Sequence, residues 1–132
     1  KRISDSALKL DCSLGFAERY GFRNSYGKSF QPFDLEKNEP FRFVETPLTF
    51  MDTTLHRYMK IQPDKMADII ISFYEKNKYN CHHSLLWHNN SLTDYKYGFL
   101  LKEYKKVMSY LYENKVKTVT SEMIIEECSL KW

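Results

Sequence analysis

Apolar residues recur along this chain at two spacings, and the spacings divide it into elements. Met66, Ile69, Ile70 and Phe73 stand at i, i+3, i+4 and i+7, one stripe of a helix that Pro63-Asp64 opens and the polar KNKYN stretch closes. Leu100, Tyr104, Val107, Met108 and Leu111 form a second stripe, which predicts the longest helix over about Phe99 to Glu113. Thr120-Ser121 predicts the start of a last helix through Cys128, with the Ser121 hydroxyl accepting from unbonded backbone N–H groups. Ser4 to Leu8 reads as the end of a further helix.

Extended segments lie between these stripes. Phe41 to Met51, FRFVETPLTFM, is rich in β-branched and aromatic residues and predicts a strand, interrupted or bulged where Pro47 lacks an N–H to donate. Ser84 to Trp87 predicts a short buried strand, and Lys9-Leu10-Asp11 a shorter extended piece. Ser13 to Leu35 holds no steady period, yet Phe16, Tyr20, Phe22, Tyr26, Phe30 and Phe33 predict that it is ordered by packing. Glu36 to Pro40 is a polar connection. Strand, helix, strand, helix, with an aperiodic loop after each strand, implies an α/β class with parallel strands. Such folds bind ligands at the carboxyl ends of strands, which singles out Met51-Asp52 and His88-Asn89-Asn90 as polar clusters on one rim.

Composition narrows the picture. With 132 residues, 42% of them hydrophobic and 16% aromatic, the chain fits one domain with a real core, and disorder is excluded. The net charge of +3 comes from 20 basic and 17 acidic residues spread along the sequence, so no basic stripe marks a nucleic-acid partner. Cys12, Cys81 and Cys128 are far apart and odd in number, which predicts free thiols in a reducing, cytoplasmic setting. Neither a signal peptide nor a membrane span is visible. The sequence begins without an initiator Met, and an upstream segment is expected to precede it.

His88 is the residue with most chemical potential, because it places an imidazole where an apolar strand opens into a polar loop. Alternation along the strand puts His82, Ser84, Leu86 and His88 on one face and Cys81, His83, Leu85 and Trp87 on the other. That split, with no C-x-x-C or H-x-x-x-H spacing, argues against zinc on Cys81, His82, His83 and His88, and no metal ligand is assigned. Asp52 and Asp11 are the carboxylates nearest strand ends. Either serves as a cap of the next turn or as the group that orients the His88 ring. Trp87, Asn89 and Asn90 flank that ring and are the candidate substrate contacts. No nucleophile elbow and no glycine-rich phosphate loop occurs.

Three stretches in series resemble one family. DCSLGFAERYGFRNSYGKSFQPFDL is similar to the D-S-S-L-G-Y-A…G-F-R-x-G…P-F-D passage of a branch of bacterial polysaccharide deacetylases. VETPLTFMDTTLHRYM resembles that branch's E-x-P-L-x-x-M-D-x-T-L-x-x-Y, and LLWHNNS its L-W-H-N-x-S. Together they cover residues 9 to 91 in the expected order. The resemblance, to NodB-like enzymes of carbohydrate esterase family four, implies the C-terminal part of a distorted (β/α) barrel, about three strands with flanking helices. It implies deacetylation of an N-acetylated polysaccharide or oligosaccharide by a divalent, zinc-like metal held in the full-length parent.

Within that resemblance, Leu85 and His88 match the family's last motif, whose His is the general acid. Asp11 falls near the motif whose Asp tunes that His. The family's early motif of a catalytic-base Asp and a metal-binding Asp, its H-x-x-x-H and its Arg motif have no counterpart here, so the chain itself is expected to be inactive. An open sheet edge offers a route to a homodimer. The other reading is a non-catalytic carbohydrate-binding or protein-interaction module, with Tyr20, Tyr26 and Phe30 as sugar platforms.

Overall fold

The computed structural model describes residues 7–129, so most of the helix end expected over Ser4 to Leu8 lies outside them; Leu8 itself is exposed and not helical. In chain order the elements are β1 (Leu10–Asp11), β2 (Phe33–Asp34), β3 (Glu39–Pro40), β4 (Val44–Glu45), β5 (Phe50–Met51), α1 (Met66–Asn77), β6 (Leu85–Leu86), α2 (Asp94–Glu113) and α3 (Ser121–Ser129). The class is α/β, with three two-stranded sheets, and no barrel closes among the described residues.

The single strand expected over Phe41 to Met51 is two strands in two sheets, β4 and β5. Pro47 explains the break. Before it, the N–H groups of Val44 and Thr46 donate to the Lys9 and Asp11 carbonyls at 2.9 and 2.8 Å, and β4 runs parallel to β1. After it, Thr49 and Phe50 donate to the Ser84 carbonyl at 3.3 and 3.1 Å, and β5 runs parallel to β6. With no N–H of its own, Pro47 sits where the strand exchanges one neighbour for the other. The Ser84 hydroxyl donates to its carbonyl at 2.7 Å.

The stretch read as irregular ends in β2, whose antiparallel partner β3 closes a hairpin over the expected connection. Asp34 makes that turn, because its Oδ1 accepts from the N–H groups of Glu36 and Lys37 at 2.9 and 3.2 Å. Aromatic packing does order the segment upstream. Tyr20 stacks on Phe50 at 5.2 Å and meets Phe73 edge-on at 5.5 Å. Tyr20 is thereby part of the core wall and not an open sugar platform; Tyr26, by contrast, is exposed.

The core joins Phe50 to Leu55, Met66, Ala67, Ile70, Leu100 and Val107, so both helical stripes face the sheet as their spacing predicts. α2 begins earlier than expected, at Asp94, with non-helical backbone at Tyr97. The cap of α3 is Thr120, whose hydroxyl accepts from the Met123 N–H at 3.4 Å. Ser121 is already the first helical residue, one position too late for that role.

Glu103 is only 2% exposed, although it belongs to the polar face of no stripe. Its Oε2 accepts from the Ala67 N–H at 3.0 Å, at the start of α1, and its Oε1 pairs with Lys106 at 2.6 Å. The carboxylate of α2 therefore satisfies a donor that α1 cannot satisfy itself. Glu103→Ala is expected to cost about 1–3 kcal/mol in urea unfolding. An unchanged midpoint and slope would show that the contact does not hold the two helices together.

No disulfide links Cys12, Cys81 and Cys128. Among the described residues, no helix is long and apolar enough to cross a membrane.

Candidate functional site

Parallel pairing of β5 with β6 sets Met51 opposite Leu86, so the residues that follow each strand emerge side by side. Those residues include Asp52 and His88. Asp52 is 1% exposed, beneath a wide helical turn over Thr54–Tyr58 whose Met59 N–H donates back to the Thr54 carbonyl at 2.9 Å. Such widened turns cluster at functional sites.

The two side chains meet directly. His88 Nδ1 lies 2.5 Å from Asp52 Oδ1, and the His88 backbone N–H donates to Oδ2 at 3.2 Å. The Thr53 N–H adds a 2.7 Å bond to Oδ1. Burial alone would raise the pKa of Asp52, but hydrogen bonds from the Ser91 hydroxyl, from the His88 ring and N–H and from the Thr53 N–H outweigh it. The carboxyl is held below the usual range and stays ionised.

An ionised carboxylate only accepts, so Nδ1 carries the proton between them. That fixes the ring tautomer and leaves Nε2 for a reacting group. The ring is 43% exposed, buried on the Asp52 side and open on the other.

A cavity of about 240 Å³ lies over this pair, lined by Asp52, Thr53, His56, Arg57, His88, Asn90, Ser91, Tyr97 and Leu100. It is below the ~300–1,000 Å³ usual for drug-sized ligands and suits one small polar unit.

Of the sequence candidates, His88, Asp52 and Asn90 converge here. Asp11 does not, because it ends β1 in the other parallel sheet, where it accepts from the Ser13 N–H at 2.9 Å and stands opposite Glu45. There, burial and the Asp11 charge push Glu45 up to about 7. Trp87 does not line the cavity either. Alternation turns it to the core side, against Tyr104 at 5.5 Å. Asn89 also stays outside, its amide oxygen taken by the Asn90 N–H at 2.8 Å.

Sequence reasoning missed Thr53, His56, Arg57, Ser91 and Tyr97. Thr53, His56 and Arg57 follow the strand-end Asp at i+1, i+4 and i+5, a signal that a strand reading alone does not examine.

No protein-family model, no curated protein and no solved structure matches this chain. The site is therefore weighed on its own geometry.

Of the other imidazoles, His56 lines the cavity, while His82 and His83 lie outside it. His82 Nδ1 accepts from the Ser29 N–H at 3.2 Å and lies 2.7 Å from its hydroxyl, while Nε2 is 3.6 Å from Glu127 of α3. His83 sits among Phe22, Phe73 and Tyr74, where burial pushes its pKa down. His56 packs on Phe99 at 5.0 Å. Among the described residues, no group of three or more His, Cys, Asp or Glu side chains could hold a metal ion. The described residues therefore do not assemble a ligand set of their own for the metal that the family resemblance implies.

Proposed function

We propose that this chain is the C-terminal portion of a metal-dependent, polysaccharide-deacetylase-like hydrolase acting on N-acetylated glycans. The observation that supports this reading is the Asp52–His88 pair, placed by two parallel strands at the mouth of a small polar cavity. Cleavage of a sugar amide expels an amine, a poor leaving group unless protonated as the C–N bond breaks. His88 delivers that proton from Nε2, and the Asp52 carboxylate stabilises the imidazolium that precedes delivery. Water polarisation and oxyanion stabilisation need a metal whose ligands the described residues do not bring together, so by itself the chain is inactive in this reading. The parallel pairs β1–β4 and β5–β6 are, in the same reading, part of a barrel that further strands complete.

The test is acetate release from chitooligosaccharides by the longer protein, loaded with zinc. Turnover that responds to His88 substitution is the expected result. A folded, metal-loaded protein that releases no acetate from any N-acetylated glycan would overturn the hydrolase reading in favour of a carbohydrate-binding module.

A further inference from the structure

The His88 cavity is lined by one carboxylate and one arginine, and the two are not paired with each other. Its carboxylate, Asp52, is fully committed, since His88, Thr53 and Ser91 take up its oxygens. Arg57 lines the same cavity from the end of the widened turn. Among the described residues, no carboxylate lies within ion-pairing distance of its guanidinium. The same lining holds neutral groups able to donate, the Tyr97 hydroxyl and the Asn90 amide among them.

A neutral N-acetyl sugar offers no anion to a guanidinium that no described carboxylate engages. The arginine fork matches the two oxygens of a carboxylate, and such charge-assisted pairs are about twice as strong as neutral ones. We infer that Arg57 is a specificity residue that selects a glycan bearing a carboxylate next to the N-acetyl group presented to His88. This rests on the reading of the site as one for N-acetylated glycans, and it adds the charge of the substrate. The cavity's volume, about 240 Å³, leaves room for one N-acetylated unit at the imidazole, with the carboxylate of the adjoining unit meeting Arg57 at the exposed rim.

The test compares two probes on the whole chain, with binding followed by chemical shifts and by calorimetry. One is a hyaluronan tetrasaccharide, which alternates carboxylate-bearing and N-acetylated units; the other is neutral triacetylchitotriose. Wild-type protein is expected to bind the charged probe about tenfold more tightly or better. Arg57→Gln should bring the ratio near one without disturbing the fold, because Arg57 is exposed. Arg57→Lys should keep part of the preference, since the charge remains but the fork is lost.

Equal affinity for the two probes, no binding of either at millimolar concentration, or a preference that survives Arg57→Gln would overturn the assignment. So would tighter binding of a phosphorylated than of a carboxylated sugar. The hydrolase reading is judged separately. An Arg57-dependent preference without acetate release by the longer protein keeps the anion site and sinks the hydrolase. Turnover indifferent to both Arg57 and substrate charge does the reverse.

Discussion

On the hydrolase reading proposed above, replacing His88 with Ala in the metal-loaded longer protein is expected to lower deacetylation by about 10²–10⁴-fold while leaving the fold intact. The two halves of that expectation have separate causes. Turnover falls because the amine leaving group loses its positioned proton donor. Folding survives because the ring is 43% exposed and contributes little burial. The backbone N–H of residue 88, which donates to Asp52, remains in the variant. Turnover and thermal unfolding measured on the same preparation decide the matter. A folded His88→Ala protein with undiminished turnover would remove the imidazole from the chemistry.

Asp52→Ala is expected to fail in the opposite manner, with stability lost first. The side chain is 1% exposed, and its removal leaves the Ser91 hydroxyl and the N–H groups of Thr53 and His88 short of an acceptor. Buried donors left unsatisfied cost about 1–3 kcal/mol each, and partial access of water to the cavity lowers the sum to about 2–4 kcal/mol. Asp52→Asn keeps the volume and should lose less stability, but it removes the charge that fixes the ring tautomer. Turnover should therefore fall steeply in that variant too.

Acidification provides an independent check. The Asp52 pKa is lower in the folded chain than in the unfolded one, so its ionised form stabilises the fold above the unfolded value. That contribution fades as pH drops through the folded value. The stability gap between wild type and Asp52→Asn should be widest near neutrality and close in acid. A gap independent of pH would mean that the carboxylate charge is not what the site holds.

The elements that the sequence announced share one property, a period long enough to be read. Met66 to Phe73 and Leu100 to Leu111 carry full helical stripes, and both face the core. The pairing of Asp52 with His88 was foreseeable too, because strand ends in a parallel arrangement share a rim. Asp11 met the same criterion, yet it belongs to a different pair of strands. Strand-end position names a rim, and the hydrogen-bonding neighbour decides which part of the rim a residue occupies. The break at Pro47 that separates the two pairs was visible as a missing donor, but not as a change of partner. Two-residue strands such as β2 and β3 carry no period at all, and Asp34 reveals their turn only once its oxygen is seen on Glu36 and Lys37. Arg57 was silent for another reason. Its significance lies in the ion pair it lacks, which is a property of space and not of sequence.

The exchange of neighbours at Pro47 also orders the assembly of the chain. Phe50 and Leu85 are joined through α1, which supplies local contacts and carries the chain back to the same sheet. The Leu10–Val44 pairing spans the irregular aromatic stretch, with the short β2–β3 hairpin and no helix between its strands. Closing that loop yields its reward late, when Tyr20 and Phe22 have found Phe73. The contact pattern predicts nucleation in the half that carries Asp52 and His88, with the amino-terminal half docking afterwards, an order that φ-values would test. In that order the rim that holds the imidazole is framed by the earliest native contacts, and amide exchange is expected to show it still protected when β1 opens.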